Sequence, residues 1–69
     1  MRFYVRVKRF SPPISAGYDT TPSTRQHCEQ FAQTVCHQSG RSAEIVRQRD
    51  SKVVMRYWRD DTGLQYLEY

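Results

Sequence analysis

Apolar and polar residues alternate in two segments, one near each end of the chain. In residues 2–9, Arg-Phe-Tyr-Val-Arg-Val-Lys-Arg, the apolar residues Phe3, Val5 and Val7 alternate with Arg2, Tyr4, Arg6 and Lys8. In residues 52–59, Lys-Val-Val-Met-Arg-Tyr-Trp-Arg, the same alternation puts Val53, Met55 and Tyr57 on one side. Because successive side chains of a strand point to opposite faces, both segments predict strands with one face in a core and the other face outside it.

The middle of the chain has the period of a helix. Apolar residues recur at i, i+3, i+4, i+7 and i+8, at Cys28, Phe31, Ala32, Val35 and Cys36. This spacing predicts one amphipathic helix packed on a sheet. Thr21 and Pro22 predict its start, as a cap and a first helical residue, and Gly40 predicts a left-handed end.

The remaining segments complete an α+β fold. Pro12 and Pro13 end the first strand, and residues 14–20 predict a short second one. Residues 43–49, 52–59 and 64–69 predict three strands joined by tight turns. We expect residues 1–69 to form a single domain with a single helix on a four- to five-stranded antiparallel sheet, in the order β-β-α-β-β-β.

At two places the sequence does not decide which of two adjacent side chains points into the core. Ile45 and Val46 are adjacent, so they cannot both point into the same core. Tyr57 and Trp58 present the same choice, and inverting that strand would bury Trp58 instead of Tyr57. The alternation favours Tyr57 inward and Trp58 outward, with Val54 beside Trp58.

The predicted outer face of the sheet combines cations with aromatic rings. Its candidate partner-binding residues are Arg2, Tyr4, Arg6, Lys8, Arg56 and Trp58. Arginine on an exposed strand also serves simply to prevent aggregation, so a solvated face is the alternative. The interleaved rings favour binding, because they offer stacking and cation–π contacts to bases or to another protein.

Composition limits the function classes. Eleven Lys and Arg against seven Asp and Glu give a net charge of +4 among 69 residues, which suits a polyanion or an acidic protein surface. Residues 1–9 lack the apolar run of a signal peptide, and we expect a cytoplasmic protein with reduced, buried cysteines. Cys28 and Cys36 lie about 12 Å apart along one helix, beyond disulfide reach.

The sequence gives little indication of a catalytic site. His27 and His37 are ten positions apart on the helix and point to different faces, so neither a general acid–base pair nor a zinc site with the cysteines is expected. Asp60 and Asp61 are explained by turn chemistry. We therefore expect no enzyme activity, no cofactor and no metal.

Residues 43–69 contain Glu-Ile-Val-Arg, then Val-Val-Met-Arg-Tyr, then Asp-Asp-Thr-Gly and a last aromatic strand. In this layout the chain resembles small phage-encoded anti-CRISPR proteins that act on type I surveillance complexes. The resemblance implies a non-enzymatic inhibitor in the host cytoplasm that docks on Cas protein subunits through basic side chains and blocks target DNA engagement.

One departure from that group concerns the helix, whose exposed positions here carry glutamine and glutamate where the group has lysine and arginine. If the function carries over, the contacts have moved to the sheet, or to Arg25 and Arg41 at the helix ends. The alternative function is a small basic nucleic-acid-binding protein that uses its sheet face, with weak non-specific binding of DNA or RNA. A third is an antitoxin-like or structural partner of another protein.

Overall fold

The computed structural model describes residues 1–8 and 17–69, and it confirms the α+β class. Its elements are β1 (Phe3–Val7), β2 (Tyr18–Asp19), α1 (Arg25–Ser39), β3 (Ala43–Arg47), β4 (Lys52–Asp60) and β5 (Gly63–Glu68). The strands form one sheet in the order β2-β1-β3-β4-β5, and all neighbours are antiparallel. The helix packs against one face of this sheet, chiefly over β1, β3 and β4.

The helix begins later than the sequence predicts. Its cap is Thr24, whose hydroxyl accepts from the His27 N–H at 3.2 Å, so the predicted start at Thr21 and Pro22 is wrong. The reason is the neighbouring strand: Ser23 and Phe3 exchange two backbone hydrogen bonds of 2.9 and 2.7 Å, which hold this segment extended. The predicted end is confirmed, because Gly40 adopts φ 74° and donates to the Cys36 carbonyl.

The core lies between the helix and the sheet. Cys28, Ala32 and Cys36 are the buried helix residues, and the half-buried Phe31 and Val35 flank them. The sheet contributes a larger apolar set, formed by Val5, Val7, Ala43, Ile45, Met55 and Tyr57. Tyr57 therefore faces inward as predicted, while Trp58 is half-buried and lies outside this core.

A β-bulge resolves the ambiguity at Ile45 and Val46. Ile45 pairs with Met55 but Val46 pairs with Val53, so Val54 is an extra residue on β4. Val54 packs against the core and Val53 shares the opposite face with Val46, which reverses the facing predicted for both residues. Ile45 and Val46 are both fully buried, on opposite faces of β3.

The strand ends differ from the predicted ones for local reasons. β3 stops at Arg47 because a turn follows, in which both Asp50 carboxylate oxygens accept from the Arg47 guanidinium at 2.9 and 2.6 Å. Ser51 closes this turn with φ 59°. Of the predicted second strand, Tyr18 and Asp19 are in β2, while residues 14–16 and the two prolines lie outside the described residues.

Candidate functional site

The sheet face opposite α1, here called the outer face, carries most of the predicted site. Successive cross-strand pairs place the following side chains on it: Tyr4, Arg6, Lys8, Asp19, Glu44, Val46, Val53, Arg56, Trp58, Gln65 and Leu67. The five predicted site residues Tyr4, Arg6, Lys8, Arg56 and Trp58 are thus brought to one surface. β1 supplies Tyr4 and Arg6, Lys8 directly follows it, and β4 supplies Arg56 and Trp58.

A row of alternating charge crosses this face. Asp19 on β2, Arg6 on β1, Glu44 on β3 and Arg56 on β4 are consecutive cross-strand partners. Arg6 Nε lies 3.2 Å from Asp19 Oδ1, and Lys8 Nζ lies 3.2 Å from Glu44 Oε1. Arg6 and Lys8 are therefore both paired with carboxylates, and the face is a mixed-charge surface.

Sequence reasoning missed the two carboxylates. Glu44 precedes Ile45, and the alternation of a strand would have placed it on the outer face once Ile45 was assigned to the core. Asp19 gave no such signal, because its strand has only two residues and its pairing with Arg6 depends on the tertiary fold.

Arg6 is held in place from two sides. Its guanidinium donates to Asp19 and, through Nη2, to Tyr4 Oη at 3.1 Å, and it stacks over the Tyr4 ring at 5.8 Å from the centroid. The hydrogen bond to Asp19 raises the pKa of Arg6 above its ordinary value. Tyr4 is the cross-strand partner of Val46, which is fully buried. The Arg6–Tyr4 pair therefore lies beside a packed apolar residue.

Arg56 and Trp58 form an accessible pair on this face. The Arg56 guanidinium lies 5.5 Å from the Trp58 ring centroid, Arg56 is exposed and Trp58 is half-buried. Their partners on β5 are Leu67, which is 49% exposed, and Gln65. Tryptophan, arginine and tyrosine are the residue types that most often dominate binding energy at protein interfaces.

The other three predicted site residues lie outside the strand pairs that define this face. Arg2 is exposed just before β1, where its carbonyl accepts from the Gln48 N–H. Arg25 begins α1 on the helix side of the sheet and is engaged by Glu29 at 3.1 Å and Glu68 at 2.9 Å. Arg41 follows the far end of the helix, which is about 22 Å long, so Arg25 and Arg41 do not form a common site.

The histidines and cysteines of the described residues are not gathered into one site. His27 and His37 are exposed near opposite ends of α1, and residues 1–8 and 17–69 contain no group of three His, Cys, Asp or Glu side chains placed to hold a metal ion. Cys28 and Cys36 are buried free thiols, and burial raises the pKa of both, which disfavours the reactive thiolate.

Comparison with known proteins does not indicate a function for this chain. No protein-family model matches the chain, no curated protein is similar to it, and no solved structure matches it. In the described part of the chain, α1 is too short and too polar to cross a bilayer. The mixed-charge, aromatic outer face is therefore the feature from which a function is inferred.

Proposed function

We propose that this protein is a non-enzymatic binding protein that docks on another protein through its outer face, with Arg56 and Trp58 at the centre of the contact. The observation that carries the proposal is the alternating row of charge beside an accessible arginine–tryptophan pair. Such a face combines an apolar and aromatic anchor with charges of both signs. That combination is typical of protein interfaces, where complementary charges fix the register and buried rings supply affinity.

The charge pattern favours a protein partner over nucleic acid. Three cations on the outer face, Arg6, Lys8 and Arg56, are interspersed with two carboxylates, Asp19 and Glu44. A phosphate backbone presents negative charge alone, so the carboxylates would repel it where the cations attract it. A protein surface can place its own lysine or arginine opposite Asp19 and Glu44.

The first candidate partner is a Cas protein subunit of a type I surveillance complex. The support is the layout resemblance described above, together with the mixed-charge, aromatic outer face. In this role the protein would act as an anti-CRISPR inhibitor, occupying the Cas surface where target DNA engages. Arg56 would meet an acidic side chain of the subunit, and Trp58 an apolar or cationic one.

Nucleic-acid binding through the same face is the second candidate. One observation favours it: an exposed arginine beside an accessible tryptophan can stack an unpaired base, and the net charge of +4 would attract the backbone. This candidate predicts binding that falls steeply with salt, because each phosphate contact releases counterions.

Affinity capture distinguishes the two functions. The tagged chain is expressed in cells that carry type I CRISPR systems, and the recovered material is analysed for proteins and for nucleic acid. We expect Cas subunits to be recovered after nuclease treatment, and binding of free duplex DNA to be weak and lost near physiological salt. Tight duplex binding that survives about 0.15 M salt, without any recovered Cas subunit, would reject the inhibitor role.

A further inference from the structure

The β5 edge of the sheet is open and apolar. Within residues 1–8 and 17–69, six large apolar side chains are exposed, and four of them lie in residues 63–69: Leu64, Tyr66, Leu67 and Tyr69. The helix covers β1, β3 and β4 but leaves an open groove of about 610 Å³ beside β5. Tyr66, which is 63% exposed, lines that groove.

The backbone of this edge is available for pairing. The Tyr69 N–H donates to the Val54 carbonyl at 3.1 Å, and in an antiparallel ladder hydrogen-bonded residues alternate along the strand. Leu67 and Gln65 therefore bond to β4, while the N–H and C=O groups of Leu64, Tyr66 and Glu68 point away from it. Among the described strands, none pairs with these three residues.

Natural sheet edges are usually protected against pairing by lysine, proline, a bulge or a very short strand. β5 has six residues, contains no lysine or proline, and pairs with β4 without a register shift. Its single charged residue is Glu68, which Arg25 neutralises at 2.9 Å. The edge thus has the features of a strand that receives another strand.

We propose that the occupant is a second copy of this chain, with the two β5 strands paired antiparallel across a two-fold axis at Tyr66. This register pairs Tyr66 with Tyr66 of the other protomer and Leu64 with Glu68, and it uses all six free backbone groups of each strand. It places no like charges opposite each other. Within one protomer the ring centroids of Tyr57 and Tyr66 already lie 6.0 Å apart, so the dimer extends this pair into a row of four rings.

The available area sets the strength of this dimer. A tyrosine buries about 150–250 Å² when fully enclosed, and Tyr66 and Tyr69 are each about two-thirds exposed. With Leu64 and Leu67, the edge offers roughly half of the ~800 Å² that each partner contributes to a standard interface. The pairing is isologous and closes at two copies, so the expected product is a weak dimer that does not extend into a filament.

A dimer of this kind would place both outer faces on one continuous sheet. The two β4 strands would lie three strand spacings apart, about 14 Å, and each carries Arg56 and Trp58. This consequence rests on the proposed function, whereas the dimer itself does not. An experiment can therefore reject the dimer without rejecting docking through the outer face, and the reverse also holds.

Sedimentation velocity over about 10 µM to 1 mM protein tests the dimer. We expect a concentration-dependent shift from monomer to dimer that salt does not weaken, because two chains of charge +4 repel each other less when screened. Tyr66→Lys sets two cations against each other at the axis and should weaken association at least about tenfold. The matched control is Tyr18→Lys, at the opposite edge of the sheet, which should associate as the parent does.

Hydrogen exchange on the unmodified chain provides a second test that needs no variant. Amide protons of Leu64, Tyr66 and Glu68 should exchange more slowly as concentration rises, while those of Gln65 and Leu67, already bonded to β4, should not change. A chain that stays monomeric at about 1 mM, or a dimer that both tyrosine variants weaken equally, overturns the proposal. So does protection of these three amides only when a different protein is bound.

Discussion

Replacing Ile45 with alanine should remove a large share of the stability of this domain. Ile45 lies on β3, the central strand, between Val5 on β1 and Met55 on β4. It is fully buried and belongs to the core cluster that the helix covers. The substitution leaves a cavity at the centre of the sheet, where the strands on both sides limit collapse.

The expected cost follows from this burial. Isoleucine to alanine in a packed core costs about 2–5 kcal/mol, and isoleucine to valine about 0.5–1.5 kcal/mol. At about 0.05–0.15 kcal/mol per residue, a chain of 69 residues has roughly 3–10 kcal/mol of total stability. Ile45→Ala is therefore expected to remove about a fifth or more of the free energy of unfolding.

Urea unfolding followed by circular dichroism measures this loss. The midpoint should fall strongly for Ile45→Ala and slightly for Ile45→Val, with the slope unchanged. Val46→Ala is the matched variant on the other face, where two lost methylene equivalents at about 0.8 kcal/mol each predict a cost near 1.6 kcal/mol. An Ile45→Ala midpoint equal to that of the parent would refute the assignment of Ile45 to the core.

Two further predictions concern titratable groups. The buried thiols of Cys28 and Cys36 should react with a thiol reagent far more slowly in native protein than in urea, and labelling at equal rates would contradict their burial. Arg47 lowers the pKa of Asp50 from 3.8 to about 2, so this ion pair stabilises the fold above pH 3.8 and is lost as the pH falls through 2. Asp50→Asn should therefore flatten the dependence of melting temperature on pH between these values, and an unchanged slope would count against the pair.

The elements that follow from local patterns were predictable from the sequence. The alternation in residues 2–9 and 52–59 predicts two strands and the sheet face of most of their side chains, including Tyr57 inward and Trp58 outward. The helical stripe and Gly40 gave the end of α1. In each case the signal is a side-chain period or a backbone preference carried by the segment itself.

The features that depend on pairing were not predictable in the same way. The helix start moved to Thr24 because Ser23 pairs with Phe3, twenty residues earlier in the chain. The facing of Val53 and Val54 was wrong because a one-residue bulge shifts the register of β4. The pairing of Arg6 with Asp19 likewise depends on which strands become neighbours, so the mixed charge of the outer face emerged only with the fold.

The most direct test of the outer face as a docking surface is inhibition of target DNA binding by type I surveillance complexes. Arg56→Glu and Trp58→Ala should each reduce inhibition by at least about 30-fold, as expected for central contacts worth about 2 kcal/mol or more. The exposed Arg56 variant should melt like the parent, and circular dichroism should show that the variant of the half-buried Trp58 is folded. Arg49→Glu, the same charge change in the β3–β4 turn, should inhibit like the parent. Full inhibition by both outer-face variants would contradict the placement of the site, and no inhibition of any type I complex by the parent would contradict the proposed partner.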